Sequence, residues 1–505
     1  TGKVEGLEKH GILQFRGIPY ARADRFRPSQ PVEGWTGVRD ATAFGPIAPQ
    51  NPSPLESMLG AQSEPGVEDC LVVNVYTPAA DDAARPVMVW IHGGGFVAGS
   101  GHVAWYDGTN LARTGNVVVV TLNYRLGALG FLHLGHLDAA LAGSGANGIR
   151  DQVNALRWVR DNIAAFGGDP GNVTIFGESA GGMSVGTLLG TPSATGLFRS
   201  AIAQSGAASN GHDSDVAEWV TDRFLAALSL SPATVDGLLA LPVDEILRAQ
   251  AAVQAEVEAN GRAGEGPGVG QLAFQPVVDG TILPEPPLDA IRAGGAAGVD
   301  LVAGTTADEW NLFHVQARNS GALSDDQVRR RFARLVGDDR VDDALAVYRA
   351  RRPHADPDGL FCAAMTDWVF RMPAIRLAEA QLPHAGRVSM YRFAYASTAF
   401  GGALGACHAI DLPFAFANLD RGGVDVFLGG VDDGARRLAD RLSRAWMATA
   451  RSGDPQHDDL AWPAYDLDRR ATCVLDREPA VADDPDREIR ELWDEVAPTQ
   501  SPPRP

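Results

Sequence analysis

Residues 173–182 read Val-Thr-Ile-Phe-Gly-Glu-Ser-Ala-Gly-Gly and join a predicted strand to a predicted helix. Ser179 stands between Gly177 and Gly181 at the turn, which is the spacing of a nucleophile elbow. A turn this tight leaves no room for a Cβ atom at either glycine, and it exposes the serine hydroxyl in front of a helix N-terminus. The alternative is an ordinary glycine-rich turn, since the chain holds 57 glycines. The flanking strand and helix favour the elbow, with Ser179 as a nucleophile.

Strand and helix patterns alternate on both sides of this turn. Apolar runs at residues 87–91, 117–122, 200–204 and 300–304 predict buried strands, and residues 151–166 carry an apolar stripe at helical spacing. Strands that alternate with helices predict a mainly parallel sheet with helices on both faces. The fold class is therefore α/β, with a large, mostly parallel central sheet.

The remaining elements are predicted from the same periodicities. The first eighty residues read as short strands and turns, including strands at residues 15–21 and 71–76. Helices are predicted at about residues 215–258, 324–351, 373–381 and 434–451, and a late strand is predicted at residues 388–394. The glycine-rich residues 261–270 follow a charged helix rather than a strand, so a surface loop is favoured there over a phosphate-binding loop.

Charge and composition exclude several classes of function. The formal net charge of −20 repels a phosphate backbone, so nucleic acid is not expected as a partner. The four cysteines show no Cys-x-x-Cys spacing, which gives no support for zinc, and they are expected to be buried free thiols. No apolar run reaches the length of a membrane span, and no signal peptide is visible, although an N-terminus without methionine leaves export open. A cytoplasmic location is expected.

Attack on a carbonyl group leaves negative charge on its oxygen, which needs hydrogen-bond donors held in fixed positions. Residues 92–96, His-Gly-Gly-Gly-Phe, end a predicted strand upstream of the serine and offer backbone N–H groups that no side chain shields. A plain glycine turn is the alternative. The position of the segment before the elbow favours the oxyanion role.

The serine also needs a base, and the base needs a carboxylate that fixes its tautomer. Asp308 and Glu309 follow the strand that ends at Gly304, at the sheet edge where functional groups gather, and the spacing does not choose between them. The order serine, acid, histidine leaves several candidate bases: His314, His354, His384, His408 and His457. His408 follows the late strand in a loop of small residues, which favours it, and a structural histidine is the alternative.

These residues resemble the type-B carboxylesterase and cholinesterase-like branch of the α/β-hydrolases, and within it the bacterial, p-nitrobenzyl-esterase-like carboxylesterases. The resemblance covers nearly the whole chain. The matching segments are residues 15–21, 68–71, 90–96, 123–127, 147–152, 162–170, 176–182, 304–309 and 406–412. It implies one catalytic domain over residues 1–496, with helical insertions at about 210–300 and 310–385 that cover an active-site gorge. Residues 497–505 form a proline-rich tail that is expected to be disordered.

The roles of the family carry over residue by residue. The resemblance implies Ser179 as nucleophile, His408 as general base and acid, and Glu309, rather than Asp308, as the orienting carboxylate. The implied oxyanion donors are the N–H groups of Gly94, Gly95 and Ala180. Two implied ion pairs, Arg25 with Glu68 and Arg125 with Asp151, are expected to hold the scaffold.

The chain departs from the family in three places. Ala48 stands in residues 44–50, where the partner of Cys70 is usually found, so the loop disulfide is expected to be absent, in keeping with a reducing cytoplasm or a bacterial relative. The loop before Cys70 has no tryptophan, which disfavours choline esters. Trp310 occupies a position where relatives carry glycine, and it could reshape the pocket wall or fill the core.

The expected function is that of a serine carboxylesterase acting on neutral, fairly apolar esters, with no metal and no organic cofactor. The expected partner is a small-molecule ester, and a monomer is favoured. One alternative keeps the same triad but cleaves carbamate or aryl-amide bonds, because specificity lies in the pocket. Another is a non-catalytic adhesion or binding member of the fold, which the presence of all three triad residue types disfavours.

Overall fold

The computed structural model describes residues 2–53, 57, 66–230, 235–260, 272–317 and 322–496. The predicted loop at residues 261–270 and the predicted tail at residues 497–505 lie outside the described residues. No helix within the described ranges is both long enough and apolar enough to cross a bilayer.

The described residues contain short outer strands and longer central ones. In chain order the strands are β1 Lys3–Glu5, β2 Leu7–Lys9, β3 Ile12–Pro19, β4 Ala21–Arg22, β5 Gln30–Pro31, β6 Val38–Asp40, β7 Val72–Thr77, β8 Arg85–Ile91, β9 Val118–Leu122, β10 Gly168–Glu178, β11 Ser200–Gln204, β12 Asp300–Thr306, β13 Val388–Phe393, β14 Ala471–Leu475 and β15 Ala480–Asp483.

Eleven of these strands form one sheet in the order β15-β14-β13-β12-β11-β10-β8-β9-β7-β3-β2. The strands from β9 to β14 along this order are mutually parallel. The edges are antiparallel, with β15 against β14 on one side and β7, β3 and β2 on the other. The mainly parallel centre predicted from the sequence is confirmed, and the antiparallel edges make the sheet mixed.

The central strands β9 and β11 are buried at every position, because helices cover both faces of the sheet. Along β8, Val87, Val89 and Ile91 belong to one buried cluster, whereas Met88 and Trp90 belong to a second. This alternation is the period of two expected of a strand whose side chains point to opposite faces. Because both faces of β8 are buried, its sequence from Val87 to Ile91 is a continuous apolar run, whereas a strand with one exposed face would alternate apolar and polar residues.

The helices lie mainly in the connections between the strands. In chain order they are α1 Thr109–Gly115, α2 Gly127–Phe131, α3 Asn147–Asn162, α4 Ala180–Leu189, α5 Ser214–Ala227, α6 Val235–Ala240, α7 Val243–Asn260, α8 Pro287–Arg292, α9 Trp310–Gln316, α10 Asp325–Val336, α11 Val341–Arg351, α12 Pro357–Thr366, α13 Met372–Gln381, α14 Leu412–Ala415, α15 Val424–Leu428, α16 Asp433–Ser452 and α17 Arg487–Asp494.

Several element boundaries differ from the sequence predictions. The predicted helix over residues 324–351 is two helices, α10 and α11, which separate at Gly337 with a φ of 94°. Helix α12 and a π-helical turn, Asp367–Arg371, precede α13 without a break and were not predicted. Strands β14 and β15 and helix α17 were also missed; each spans eight residues or fewer, which is too short for a distinctive periodicity.

Candidate active site

Ser179 occupies a strained turn between β10 and α4. Its backbone has a φ of 57° and a ψ of −127°, a conformation that costs free energy for any residue with a side chain. The Ser179 N–H donates to the carbonyl oxygen of Gln204 at 3.0 Å. A Cβ atom on Gly177 would lie 2.5 Å from the carbonyl carbon of Gly181, and one on Gly181 would collide with the carbonyl of Ile91. The two glycines are thus required by close packing around the turn.

The glycine segment after β8 packs directly against this turn. A Cβ atom on Gly93 would lie 2.8 Å from the carbonyl oxygen of Glu178 and 3.1 Å from the Cβ atom of Ser179. Gly94 and Gly95 have φ angles of 101° and 61°, so the chain here bends through conformations that favour glycine. The backbone of this segment, together with Ala180 at the start of α4, is therefore the amide-rich surface beside the serine.

His408 and Glu309 are in direct contact. Nδ1 of His408 lies 2.6 Å from Oε2 of Glu309, and both side chains are almost fully buried. The second oxygen, Oε1, accepts the backbone N–H of Thr306 at 2.8 Å, which fixes the carboxylate at the end of β12. A carboxylate at Nδ1 holds a proton there and leaves Nε2 as the nitrogen that can accept another.

The neighbouring acid, Asp308, has different partners. Its Oδ2 accepts the N–H of Ala406 at 3.1 Å, and its Oδ1 lies 3.3 Å from Nη1 of Arg352. These contacts tie the loop that carries His408 to the end of β12. The structure therefore separates two acids that the sequence spacing left equivalent.

The other candidate histidines have partners elsewhere in the fold. His314 lies 3.7 Å from Asp358, and the Nε2 atoms of His384 and His457 face backbone carbonyls at 2.9 and 3.0 Å. His354 is exposed. Among the five histidines downstream of Glu309, His408 is the one paired with an acid that follows β12.

Glu178, the residue immediately before the serine, faces the other side of the imidazole. Its Oε1 lies 3.1 Å from Nε2 of His408. No hydrogen bond joins the Ser179 hydroxyl to His408 among the described residues, and Nε2 of His408 has no hydrogen-bond partner there. Hydrogen bonds of this kind are often long in the absence of substrate and tighten when it binds.

The two carboxylates determine the charge state of the imidazole. Burial lowers the pKa of His408, but the charge of Glu178 and the hydrogen bond and charge of Glu309 outweigh it and hold that pKa above its ordinary value. The imidazole takes up a proton more readily than a free histidine does. The neutral imidazole is therefore a stronger base, but the neutral form is also scarcer at and below neutral pH.

The charge of Glu178 should therefore be visible in the pH dependence of turnover. A histidine base acts only when neutral, so kcat/KM should rise as the pH rises through the pKa of His408. Glu178→Gln removes a negative charge that raises this pKa, and we expect the rise to move to lower pH by about one unit or more. Asp308→Asn is the matched control, with an unchanged profile. A Glu178→Gln profile that is unshifted, or shifted to higher pH, would contradict this assignment.

Aromatic rings cover the imidazole. The rings of Phe313 and Phe370 lie 5.1 and 4.9 Å from that of His408, and they stack on each other at 6.2 Å. Trp310 is buried and packs against Phe313 at 4.9 Å. Trp310 thus fills the core behind the ring that touches the imidazole.

A buried polar network lies next to the elbow. The Asp411 carboxylate accepts from Gln204 Nε2 at 2.9 Å and from the Tyr391 hydroxyl at 3.2 Å, and Gln204 Oε1 accepts from Trp446 at 3.0 Å. Burial raises the pKa of Asp411 to about 6. Because the carbonyl of Gln204 also binds the N–H of Ser179, the network supports the backbone of the turn.

The implied scaffold contacts are present. Arg25 and Glu68 form an ion pair at 2.6 Å, and Arg125 and Asp151 form a buried one at 2.8 Å. Cys70 is a free, buried thiol, as are Cys362, Cys407 and Cys473. The first ion pair joins the segment after β4 to the segment before β7, and the second joins the segment after β9 to α3.

Three residues of the site were not singled out by sequence reasoning. Glu178 adjoins the serine, so its proximity to the base could have been inferred from the elbow alone. Phe313 lies in α9, one turn beyond Glu309, and Phe370 lies in the π-helical turn, which has no distinctive sequence pattern. Their contact with His408 depends on long-range packing.

Comparison with known proteins agrees with this architecture. The sequence profile of the carboxylesterase family matches residues 1–493. The chain is 40% identical over 496 residues to the para-nitrobenzyl esterase of Bacillus subtilis (strain 168), covering 97% of this chain and 96% of that protein. It is 37% identical over 492 residues to the phenmedipham hydrolase of Pseudarthrobacter oxydans, covering 95% and 94%.

Solved structures give the same result. A carboxylesterase of Geobacillus stearothermophilus superposes with a TM-score of 0.86 at 41% identity, covering 97% of this chain and 98% of that one. A thermophilic p-nitrobenzyl esterase has the same TM-score at 38% identity, with the same coverage. The fold is that of the α/β-hydrolases, as the resemblance in sequence implied. The chain belongs to the carboxylesterase family, whose members are serine hydrolases of carboxylic esters.

Proposed function

We propose that Ser179, His408 and Glu309 are the catalytic triad of this esterase, and that the N–H groups of Gly94, Gly95 and Ala180 bind the oxyanion. The contact between Nδ1 of His408 and Glu309, at 2.6 Å and shielded from water, is the observation that carries the proposal. It supports the assignment because a base needs a fixed tautomer, and only one of the two nominated acids touches the ring.

The reaction follows from these roles. Nε2 of His408 takes the proton of Ser179 as Oγ attacks the ester carbonyl, and the three amides stabilise the negative charge on the carbonyl oxygen. The imidazolium then gives that proton to the leaving alcohol, and the acyl group remains on Oγ. A water molecule, deprotonated by the same nitrogen, releases the acid and restores the serine.

The surroundings of the base support neutral, fairly apolar substrates. Phe313 and Phe370 form an aromatic surface at the imidazole, which suits an apolar acyl or alcohol group. The nearby carboxylates of Glu178 and Glu309 would repel an anionic ester. We further propose that the helical segments at about 210–300 and 310–385 cover this site, since both rings belong to the second of them.

A carbamate or aryl-amide hydrolase with the same triad is the second candidate. It is favoured by the 37% identity to a protein named phenmedipham hydrolase. The tetrahedral intermediates of the two reactions are alike, so the pocket decides between them.

Paired substrates distinguish the two candidates. We expect kcat/KM for a p-nitrophenyl ester to exceed that for a matched phenyl carbamate by at least about tenfold, a difference of ~1.4 kcal/mol in transition-state stabilisation. Equal values, or a preference for the carbamate, would make the second candidate the primary activity. Turnover of neither compound by the purified full chain would contradict both.

A further inference from the structure

Two histidines and a glutamate that the proposed reaction does not use cluster between a loop and a helix. His133 and His136 lie in the loop that follows α2, and Glu218 lies in the second turn of α5. Each offers one ligand atom, and these atoms all lie within 4.8 Å of one another. In the described part of the chain, this is the one group of three or more such side chains that meets this distance.

One hydrogen bond joins the loop to α5, and a second joins it to the segment before α3. The hydroxyl of Thr221 donates to the backbone carbonyl of His133 at 2.7 Å, and the N–H of Leu134 donates to the hydroxyl of Ser144 at 2.8 Å. Thr221 is three residues after Glu218, so both point from the same face of α5. The backbone contact therefore holds Glu218 beside the two imidazoles.

A buried carboxylate lies beside the inner histidine. Nδ1 of His133 lies 3.6 Å from Oδ2 of Asp279, and the two side chains are 8% and 4% exposed. Neither atom has a hydrogen-bond partner among the described residues. The other oxygen of Asp279 accepts from the N–H and hydroxyl of Thr281 at 3.1 and 2.6 Å, which fixes the carboxylate. A histidine that ligates a metal through one nitrogen usually gives its other N–H to such a carboxylate.

We propose that His133, His136 and Glu218 bind a divalent transition-metal ion, with Zn²⁺ as the reference ion and Asp279 orienting His133. Two imidazoles and one carboxylate suit Zn²⁺ and its neighbours, whereas Mg²⁺ and Ca²⁺ prefer oxygen ligands only. Tetrahedral coordination needs ligand atoms about 3.4 Å apart. The exposed His136 can close the remaining distance, and water completes the fourth position.

Metal binding would join the loop after α2 to α5. Because the ion binds only when the three side chains are together, its binding free energy adds to the stability of this contact. The ion therefore has a structural role: it links the two segments, and it takes no part in the proposed ester hydrolysis.

Zinc titration of the full chain tests the site. After chelator treatment, we expect one high-affinity Zn²⁺ per chain by isothermal titration calorimetry with excess Mg²⁺ present, and a higher Tm on adding Zn²⁺. His136→Ala and Glu218→Gln should each weaken binding at least about tenfold, and Asp279→Asn about 10–100-fold. His354→Ala, at another exposed histidine, is the matched control and should bind as the wild type does.

Three results would overturn the proposal. The first is a stoichiometry well below one Zn²⁺ per chain. The second is a Zn²⁺ affinity that is unchanged in both His136→Ala and Glu218→Gln. The third is a loss of Zn²⁺ affinity in His354→Ala as large as that in the other two variants. Binding at His408 or at scattered surface histidines would give the second result. Since His136→Ala should keep normal kcat for a p-nitrophenyl ester, failure of the metal site is distinguishable from failure of the proposed triad.

Discussion

Ser179→Ala is expected to lower kcat for ester hydrolysis by about 10⁶ while leaving the fold intact. The substitution removes the attacking oxygen, and the amides around the oxyanion provide the small residual acceleration. The folded state should tolerate the change because alanine meets the same backbone cost as serine at a φ of 57°. No hydrogen bond from the hydroxyl to His408 is present whose loss would destabilise the turn.

Ser205 provides a matched control one strand away. It follows β11 as Ser179 follows β10, has a φ of 48°, and donates its N–H to the next strand, to Gly304, at 2.8 Å. Its buried hydroxyl has no hydrogen-bond partner among the described residues. Ser205→Ala should therefore keep kcat within roughly tenfold of the wild type, because no hydrogen bond is lost.

Covalent labelling separates catalysis from mere binding at the same serine. An organophosphate probe should form an Oγ–phosphorus bond with the wild type and with Ser205→Ala, expelling its leaving group, and should not label Ser179→Ala. Near-normal turnover by a folded Ser179→Ala variant would remove the serine from the mechanism. Absence of labelling in the wild type would support a non-catalytic member of the fold.

The parts of this site that were predictable from sequence are those set by local packing. The elbow needs glycines at 177 and 181 because the chain passes so close to itself and to β8, and this requirement is visible as spacing. Parallel strands such as β8 and β10 were predictable because burial on both faces produces continuous apolar runs. Because parallel strands have their carboxyl ends at the same edge of the sheet, the loops that follow them were predicted to meet at that edge.

Contacts between distant segments were not predictable in the same way. Residues 308 and 309 are both acids after the same strand, and only the path of the backbone decides which one faces His408. The approach of Glu178 to the same ring depends on how two loops pack, and the cluster of His133, His136 and Glu218 depends on the docking of α5. No periodicity in the chain encodes these distances.

The choice between the two acids leads to the second large expected effect: Glu309→Gln should lower kcat by about 10⁴. The amide can still accept the N–H of Thr306 through its oxygen, so the buried position stays filled. Its NH₂ group then faces Nδ1 of His408 and favours the tautomer with the proton on Nε2. That nitrogen can no longer take the proton of Ser179. The fall in kcat comes from the proton on Nε2 of His408, and the shape of the site changes little.

Asp308→Asn is the control that makes this result specific. Asp308 binds the Ala406 N–H and a partly exposed arginine, Arg352, and such a pair contributes little to stability, about 0–1 kcal/mol. Its kcat should therefore stay within about fivefold of the wild type. If Asp308→Asn had the larger effect, the acid would be assigned to the wrong residue. If both variants were nearly normal, the contact at Nδ1 would not be what activates the serine, and the hydrogen-bonded pair would be structural.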